Sequence, residues 1–182
     1  SIKVDSPAKL PLPSEISEIL EPMLDLTIVA PSRHVGVLME LMHAKRSEFK
    51  RMEYIQGQGT RLDGINDASD QSRVMMEYTM PLVEMLADFY NQLKSRTQGY
   101  ASLDYSFVGY RRAPLVKIDI LVNHMPVEAL SMILHRDHAV AHGRKVVDRL
   151  RTNIPRQLFE VPIQAAIGSR IIARETVRAL RK

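Results

Sequence analysis

The order in which two hydrophobic periods alternate over residues 24–107 most limits the folds open to this chain. Apolar residues that alternate one by one with polar ones predict a half-buried strand, and apolar residues spaced by three and four predict an amphipathic helix. The periods follow one another as strand, helix, strand, strand, helix, strand, which is the order of the ferredoxin-like split βαβ plait. The strands are predicted at residues 24–30, 52–54, 74–78 and 101–107, and the helices at residues 35–42 and 82–93.

A second, smaller unit is predicted after residue 112, where an Ala-Pro pair interrupts the pattern. Pro162 lacks the amide hydrogen that a central strand donates, so we expect the strand around it to be an edge strand or to be interrupted. After Gly168 the spacing of the apolar residues predicts a helix that runs to the end of the chain. The other predicted elements are a strand at residues 116–122, a short helix at 127–134, a longer helix at 140–154 and a strand at 159–163.

Together these patterns predict an α+β fold, a ferredoxin-like plait followed by a smaller α+β unit. Four of the ten prolines lie in the first 22 residues, which have no sustained hydrophobic period. We therefore predict a linker at residues 1–20, the plait at 21–112 and the smaller unit at 113–182. No transmembrane segment is expected, because no apolar run reaches the roughly 18 to 20 residues that a spanning helix needs.

The charge is distributed unevenly along the chain. Residues 1–135 carry 14 Lys and Arg against 17 Asp and Glu, whereas residues 136–182 carry 11 against 4. Such an asymmetry predicts a polyanionic partner for the last quarter, with nucleic acid as the leading candidate. An anionic membrane fits less well, because this quarter contains no Trp and a single Phe. The scarcity of aromatic residues there favours recognition of the RNA backbone over base stacking.

Basic residues in this quarter are the candidate phosphate contacts. Those after Gly168 fall at offsets of 4, 8 and 11 from the first, which places them along one side of the predicted final helix. The alternative is a solvated face on which Glu175 pairs with neighbouring arginines, although four carboxylates cannot neutralise eleven cations. The candidates are Arg144, Lys145, Arg149, Arg156, Arg170, Arg174, Arg178 and Arg181, with Lys94 and Arg96 as further candidates in the plait.

Catalytic and metal sites have little support in the sequence. The chain has no cysteine, and none of its glycines precedes Lys-Ser or Lys-Thr as in a P-loop, so no catalytic residue, bound cofactor or metal is predicted. Three histidines within two helical turns are expected to be surface or capping residues, with metal ligation as the alternative. They are His135, His138 and His142. An acidic segment is expected to be a solvated loop, because its spacing does not match a calcium site. It contains Asp63, Asn66, Asp67 and Asp70.

Four strings in the chain resemble the LepA family of translational GTPases, also called elongation factor four. They are LKSRTQGYASLDY at residues 93–105, VKIDILVN at 116–123, HRD at 135–137 and IPRQLFEVPIQAAIGSRIIARETVRALRK at 154–182. The likeness runs from about residue 7 to residue 182, and only the loop at 56–72 departs from it. The resemblance implies that residues 21–112 are similar to domain five of elongation factor G, and that residues 113–182 begin the C-terminal domain peculiar to LepA.

The resemblance also implies what a longer parent protein would do. The parent would be a GTPase that holds GTP and Mg²⁺ in an upstream domain, while this part would have no cofactor and no catalytic activity. It would bind the ribosome, through ribosomal RNA and ribosomal proteins, and tRNA, and would promote back-translocation or remodelling of tRNAs. We expect a monomer in the cytoplasm of a bacterium, with a mitochondrial or plastid source and peripheral membrane association of the parent left open.

Two other functions are compatible with the sequence. In the first, the plait is a protein-binding adaptor that docks a ribosomal protein, without direct contact with RNA, and the basic tail is incidental. In the second, the chain is a small metalloenzyme built on the three histidines. A footprint confined to protein surfaces would indicate the first, and bound metal would indicate the second.

Overall fold

The computed structural model describes residues 1–55 and 72–180 and divides the chain into two compact units. One, the plait, comprises residues 20–112; the other, the C-terminal unit, comprises residues 113–182 together with residues 1–19. The segment predicted to be a linker is thus grouped with the C-terminal unit. It contains two short 3₁₀ turns, Pro7–Lys9 and Pro13–Glu15.

The plait is an antiparallel sheet with its core on the side of the helices. Its strands are β1 (Leu20–Pro31), β2 (Glu48–Ile55), β3 (Arg73–Pro81) and β4 (Ser102–Arg112), and its helices are α1 (Val35–Ala44), α2 (Leu82–Leu86) and α3 (Phe89–Arg96). The strands pair in the order β2-β3-β1-β4. This order confirms the predicted ferredoxin-like arrangement.

The central strand β1 supplies much of the core of the plait. Leu26 and Ile28 are at most 1% exposed and belong to one cluster with Leu38 of α1 and Phe89 of α3. Asp25, which alternates with them, points to the opposite face of the sheet and is only partly buried. The alternation in the sequence therefore corresponds to one buried and one more polar face.

The second predicted helix of the plait is interrupted, which corrects the continuous helix expected over residues 82–93. α2 ends at Leu86, and Asp88 has a φ of 62°, in the left-handed region, before α3 begins at Phe89. Leu86 is 76% exposed, whereas Phe89 and Leu93 are buried. Because a continuous helix would place these three side chains on one face, the break separates Leu86 from the core.

Arg46 joins three elements of the plait through a largely buried ion-pair network. It follows α1 with a φ of 52°, and its side chain is 15% exposed. Two of its nitrogens donate to Glu21 on β1 at 2.8 and 3.1 Å, and its Nε donates to Glu84 on α2 at 2.8 Å. Burial by itself lowers the pKa of Arg46, but the hydrogen bonds to both carboxylates raise it above its usual value. The plait thus neutralises its buried charges internally.

The C-terminal unit is an antiparallel sheet covered by a long helix. Its strands are β5 (Leu115–Val122), β6 (Met125–Pro126), β7 (Met132–His135), β8 (Val161–Ile167) and β9 (Arg170–Val177), and the helix is α4 (Arg136–Asn153). Four of the strands pair in the order β6-β5-β8-β9, and β7 also pairs with β5. The α+β class is confirmed for both units. Within the described ranges, no helix has the length and apolar character needed to cross a membrane.

The short helix predicted over residues 127–134 is wrong. A 3₁₀ turn, Glu128–Leu130, and strand β7 occupy this segment. β7 pairs with β5 so that His135 lies opposite Leu115 and Met132 lies opposite Ile118. An apolar run this short fits a helix or a strand equally well, and pairing with β5 determines which one forms.

β8 is a central strand, which corrects the edge or interrupted strand predicted from Pro162. It pairs with β5 on one side and with β9 on the other. The carbonyl of Pro162 accepts a hydrogen bond from the amide of Asn123 at 2.8 Å. The amide hydrogen of any other residue at position 162 would point to this same side of β8, just past the end of β5 at Val122. The proline therefore removes no hydrogen bond from the pairing of β8 with β9.

The final helix predicted after Gly168 is also wrong, because residues 170–177 form β9. Gly168 has a φ of 57° and lies in the tight turn between β8 and β9. A spacing of four residues fits a strand, whose period is two, as well as a helix, so the positions of Arg170 and Arg174 could not distinguish them. Half of the eight residues of β9 are β-branched, which favours the strand.

α4 packs on the sheet through residues four apart. Ala139, Gly143 and Val147 are its buried residues. A Cβ atom built on Gly143 would lie 2.9 Å from Cδ1 of Ile172 and 3.2 Å from Cβ of Ala165. Glycine at this position therefore lets the helix backbone approach β8 and β9 closely.

Replacing Gly143 with Val should lower the free energy of unfolding by about 1–3 kcal/mol, because the added atoms would overlap Ile172 and Ala165. Chemical denaturation followed by circular dichroism would measure the change. Ala141→Val, at an exposed position of the same helix, is the matched control and should cost less than about 1 kcal/mol, the difference in helix propensity. Equal losses in the two variants would contradict the close contact.

His34 lies in the turn before α1 and is 8% exposed. Within the described part of the chain, its Nε2 has no hydrogen-bond partner. Burial, together with the nearby charge of Arg33, lowers the pKa of His34 below its usual value of 6.5. The folded plait therefore disfavours the protonated form of this side chain.

Mild acid should consequently destabilise the plait. The contribution of His34 to stability is complete above about pH 6.5 and is lost as the pH falls from there through the lower folded-state pKa. Between about pH 7 and pH 5, the free energy of unfolding should drop more in the wild type than in His34→Gln. His43→Gln, at an exposed position of α1, shows the effect of replacing a surface imidazole. Identical profiles for the wild type and His34→Gln would exclude this role.

Candidate nucleic-acid interface

The outer face of α4 carries three of the predicted phosphate contacts. Arg144, Lys145 and Arg149 are exposed and lie outside the buried face that contains Gly143. None of the three forms an ion pair with a carboxylate among the described residues. Their positive charges are therefore available to a ligand.

Two further predicted contacts, Arg170 and Arg174, are exposed on β9 but do not share a face. Arg174 lies opposite Gln164, and Arg170 lies opposite Ile167. A bulge in β9 shifts the register between these two pairs. Because Gln164 and Ile167 are an odd number of residues apart on β8, the two arginines point to opposite faces of the sheet. The single stripe expected from a helix is not present.

Three arginines converge at the end of α4. A groove of about 590 Å³ lies between the carboxyl end of this helix, the segment that follows it and the end of β9. The amide of Leu180 donates to the carbonyl of Gln157 at 2.8 Å and holds the two segments together. The groove is lined by Arg151, Thr152, Ile154, Pro155, Arg156, Thr176, Val177 and Arg178.

The arginines of this groove differ in their partners. Arg151 contacts Asp148 at 2.8 Å and Glu175 at 3.5 Å, and all three side chains are more than 40% exposed. No carboxylate among the described residues pairs with Arg156 or Arg178. Charge placement along the chain predicts both of these as phosphate contacts. Arg151 belongs to the same basic cluster in the sequence but is not among the predicted contacts, and its position beside β9 depends on the hairpin that replaces the predicted helix.

The remaining candidates belong to the plait or lie outside the described residues. Lys94 and Arg96 are exposed on α3, in the plait, and the ammonium group of Lys94 lies 4.6 Å from the centre of the Tyr90 ring. Arg181 lies outside the described residues, and so does the acidic segment with Asp63, Asn66, Asp67 and Asp70.

Two of the three histidines are neighbours, because the ring centres of His135 and His138 lie 5.9 Å apart. His135 precedes α4, and its Nδ1 accepts a hydrogen bond from the amide of Asp137 at 3.2 Å, so it caps the helix. Nε2 of His142 lies 2.9 Å from the sulfur of Met132. Burial, and to a smaller extent the positive charge of Lys145, lowers the pKa of His142. Across residues 1–55 and 72–180, no three His, Asp or Glu side chains are grouped as metal ligands.

Comparison with known proteins assigns the two parts of the chain. Residues 61–121 match the family model described as the elongation factor G C-terminus. Residues 122–182 match the one described as the GTP-binding protein LepA C-terminus. A ferredoxin-like plait followed by a basic α+β unit, with these two matches, defines the C-terminal part of a translational elongation factor.

Relatives that match the whole chain give the family. Elongation factor 4 of Ruminiclostridium cellulolyticum is 48% identical over 181 residues, which cover 100% of this chain and 28% of that protein. Elongation factor 4 of Lacticaseibacillus casei is 50% identical over 179 residues, which cover 98% of this chain and 27% of that protein. The chain belongs to the LepA, or elongation factor 4, family, as its sequence strings suggested. It spans little more than a quarter of the length of these relatives.

The capping role of His135 can be tested by stability. His135→Ala should lower the free energy of unfolding by about 1 kcal/mol, because the first turn of α4 loses a hydrogen-bond acceptor. His138→Ala removes the neighbouring ring but leaves the capping acceptor in place, and should have a smaller effect. Thermal unfolding with and without Zn²⁺ tests the alternative: a stabilisation by zinc that either substitution abolishes would indicate a metal site.

Proposed function

We propose that the C-terminal unit binds the sugar-phosphate backbone of RNA. The observation that carries this proposal is that seven exposed cations between residues 136 and 178 have no carboxylate partner among the described residues. Cations that are not neutralised within the protein can neutralise phosphates and release their counterions, which favours binding. The seven are Arg144, Lys145, Arg149, Arg156, Arg170, Arg174 and Arg178.

Recognition through phosphates suits this unit better than recognition through bases. Phe159 is the single aromatic residue from residue 113 onwards, and base stacking on proteins needs several such side chains. Arginine, which provides six of the seven cations, binds phosphate in a bidentate manner. The ligand is therefore a folded RNA that is read by its shape and backbone.

The setting of this activity follows from the family. We propose that the chain acts within a longer GTPase, which binds GTP and Mg²⁺ in an upstream domain. That protein would bind the ribosome, through ribosomal RNA and ribosomal proteins, and tRNA, and would promote back-translocation or remodelling of tRNAs. The relatives named above come from bacteria, which supports a bacterial cytoplasmic factor. A monomeric state and peripheral association of the parent with a membrane remain predictions.

A second candidate function is protein docking by the plait. Among the described strands, β4 pairs with β1 alone, and three of its aromatic side chains are between 57% and 61% exposed. They are Tyr105, Phe107 and Tyr110. Large exposed aromatic residues are typical of protein interfaces, which fits an adaptor that docks a ribosomal protein. In that case RNA would not be needed for binding.

Co-sedimentation with ribosomes across a salt series tests the proposal. The triple substitution Arg144→Gln, Lys145→Gln and Arg149→Gln should reduce the slope of log affinity against log salt by about 2 to 3, or 0.7 to 0.9 for each lost phosphate contact. Binding of isolated ribosomal RNA should weaken in the same way. An unchanged slope would refute the role of these residues.

A matched control removes the same charge from cations that are already paired. Lys50, Arg51 and Arg111 form ion pairs with Asp25, Glu77 and Glu48 in the plait. Changing all three to Gln should alter the slope much less. If both triple variants had the same effect, net charge and not the surface of α4 would determine binding. A footprint on the ribosome that is confined to ribosomal proteins would favour the adaptor.

A further inference from the structure

The groove at the end of α4 differs from the rest of the basic surface in shape. Arg151 comes from the helix, Arg156 from the segment after it and Arg178 from the end of β9, so arginines from three segments line one concavity. Its volume of about 590 Å³ lies within the range of ligand-binding pockets. A concave surface lined by one sign of charge concentrates its field, which exposed cations on a convex helix do not.

The groove has an excess of positive charge that its own acids do not remove. Asp148 and Glu175 both contact Arg151, and neither pairs with Arg156 or Arg178. Thr152 and Thr176 also line the groove, and the hydroxyl group of Thr152 donates to the carbonyl of Arg149 at 2.8 Å. Arginine side chains are forked donors that suit a tetrahedral oxyanion.

We infer that this groove is a phosphate-binding site and that Glu175 competes with the phosphate for Arg151. The inference rests on the proposed function in one respect, that the phosphate belongs to the backbone of RNA. Glu175 is 3.5 Å from Arg151, farther than Asp148, and both partners are more than 40% exposed. An ion pair of this kind is weak, so a phosphate in the groove can replace Glu175 at little cost.

The groove and the outer face of α4 would therefore bind RNA in different ways. The cations on the outer face of α4 attract RNA without fixing its position, whereas the groove holds one segment of backbone in a defined place. Glu175 is a second partner of Arg151, beside Asp148, when no ligand is bound. Removing the Glu175 charge should therefore strengthen binding, and removing Arg156 and Arg178 should weaken it more than an equal loss of charge elsewhere.

Titration of the full chain with inorganic phosphate, followed by NMR of the arginine side-chain Nε–H groups, tests the groove directly. The signals of Arg151, Arg156 and Arg178 should shift together and saturate, while those of Arg144 and Arg149 shift without saturation. Glu175→Gln should lower the half-saturating concentration about threefold or more, the effect of losing a weak competing pair. The matched control is Glu160→Gln, which removes the same charge from an exposed residue outside the groove.

Binding of a short RNA hairpin gives the second test. Arg156→Gln with Arg178→Gln should weaken binding about tenfold more than Arg144→Gln with Arg149→Gln, because geometrically fixed, charge-assisted hydrogen bonds are lost. Equal losses in the two pairs, or equal gains in the two glutamate variants, would overturn the inference. Saturable phosphate binding in the groove without salt-dependent RNA binding would overturn the proposed function and leave the groove as a phosphate site.

Discussion

The close packing of α4 on β8 and β9 is the contact on which the C-terminal unit depends. Gly143 has no side chain between the helix backbone and Ile172, so the buried face of α4 is fixed. Once this face is fixed, Arg144, Lys145 and Arg149 must lie outside it, and the last turn of the helix brings Arg151 next to Glu175. The packing of α4 on the sheet thus determines which side of the helix carries the exposed cations.

The two units differ in how many of their cations pair with carboxylates. In the plait, Arg46 is largely buried between Glu21 and Glu84, and exposed cations such as Lys50 and Arg51 have carboxylate partners. In the C-terminal unit, Arg151 has such partners, while most other described cations do not. Internal pairing stabilises a fold, whereas unpaired surface cations add little to folding and are suited to binding polyanions. The uneven charge of the sequence therefore corresponds to exposed cations of the C-terminal unit that have no carboxylate partner among the described residues.

The sequence predicted the plait well and the C-terminal unit only in part. Long alternating and helical periods identify β1, α1 and α4, because many residues repeat the same signal. The prediction is wrong for shorter segments. Residues 132–135 and 170–177 have spacings that fit both a helix and a strand, and strand pairing determines which one forms. The basic character of the site was predictable from composition. Its groove was not, because Arg151 and Arg178 become neighbours only through a hairpin that the sequence pattern did not reveal.

The bulge in β9 determines which ligand shapes can contact both arginines of this hairpin at once. It turns Arg170 and Arg174 toward opposite faces of the sheet. A straight, rigid duplex lying on one side can reach one of these arginines and leaves the other in solvent. Both are engaged at once only when a ligand curves around the tip of the hairpin or encloses it from two sides. If the unit binds RNA as proposed, this geometry favours a branched junction over a plain duplex.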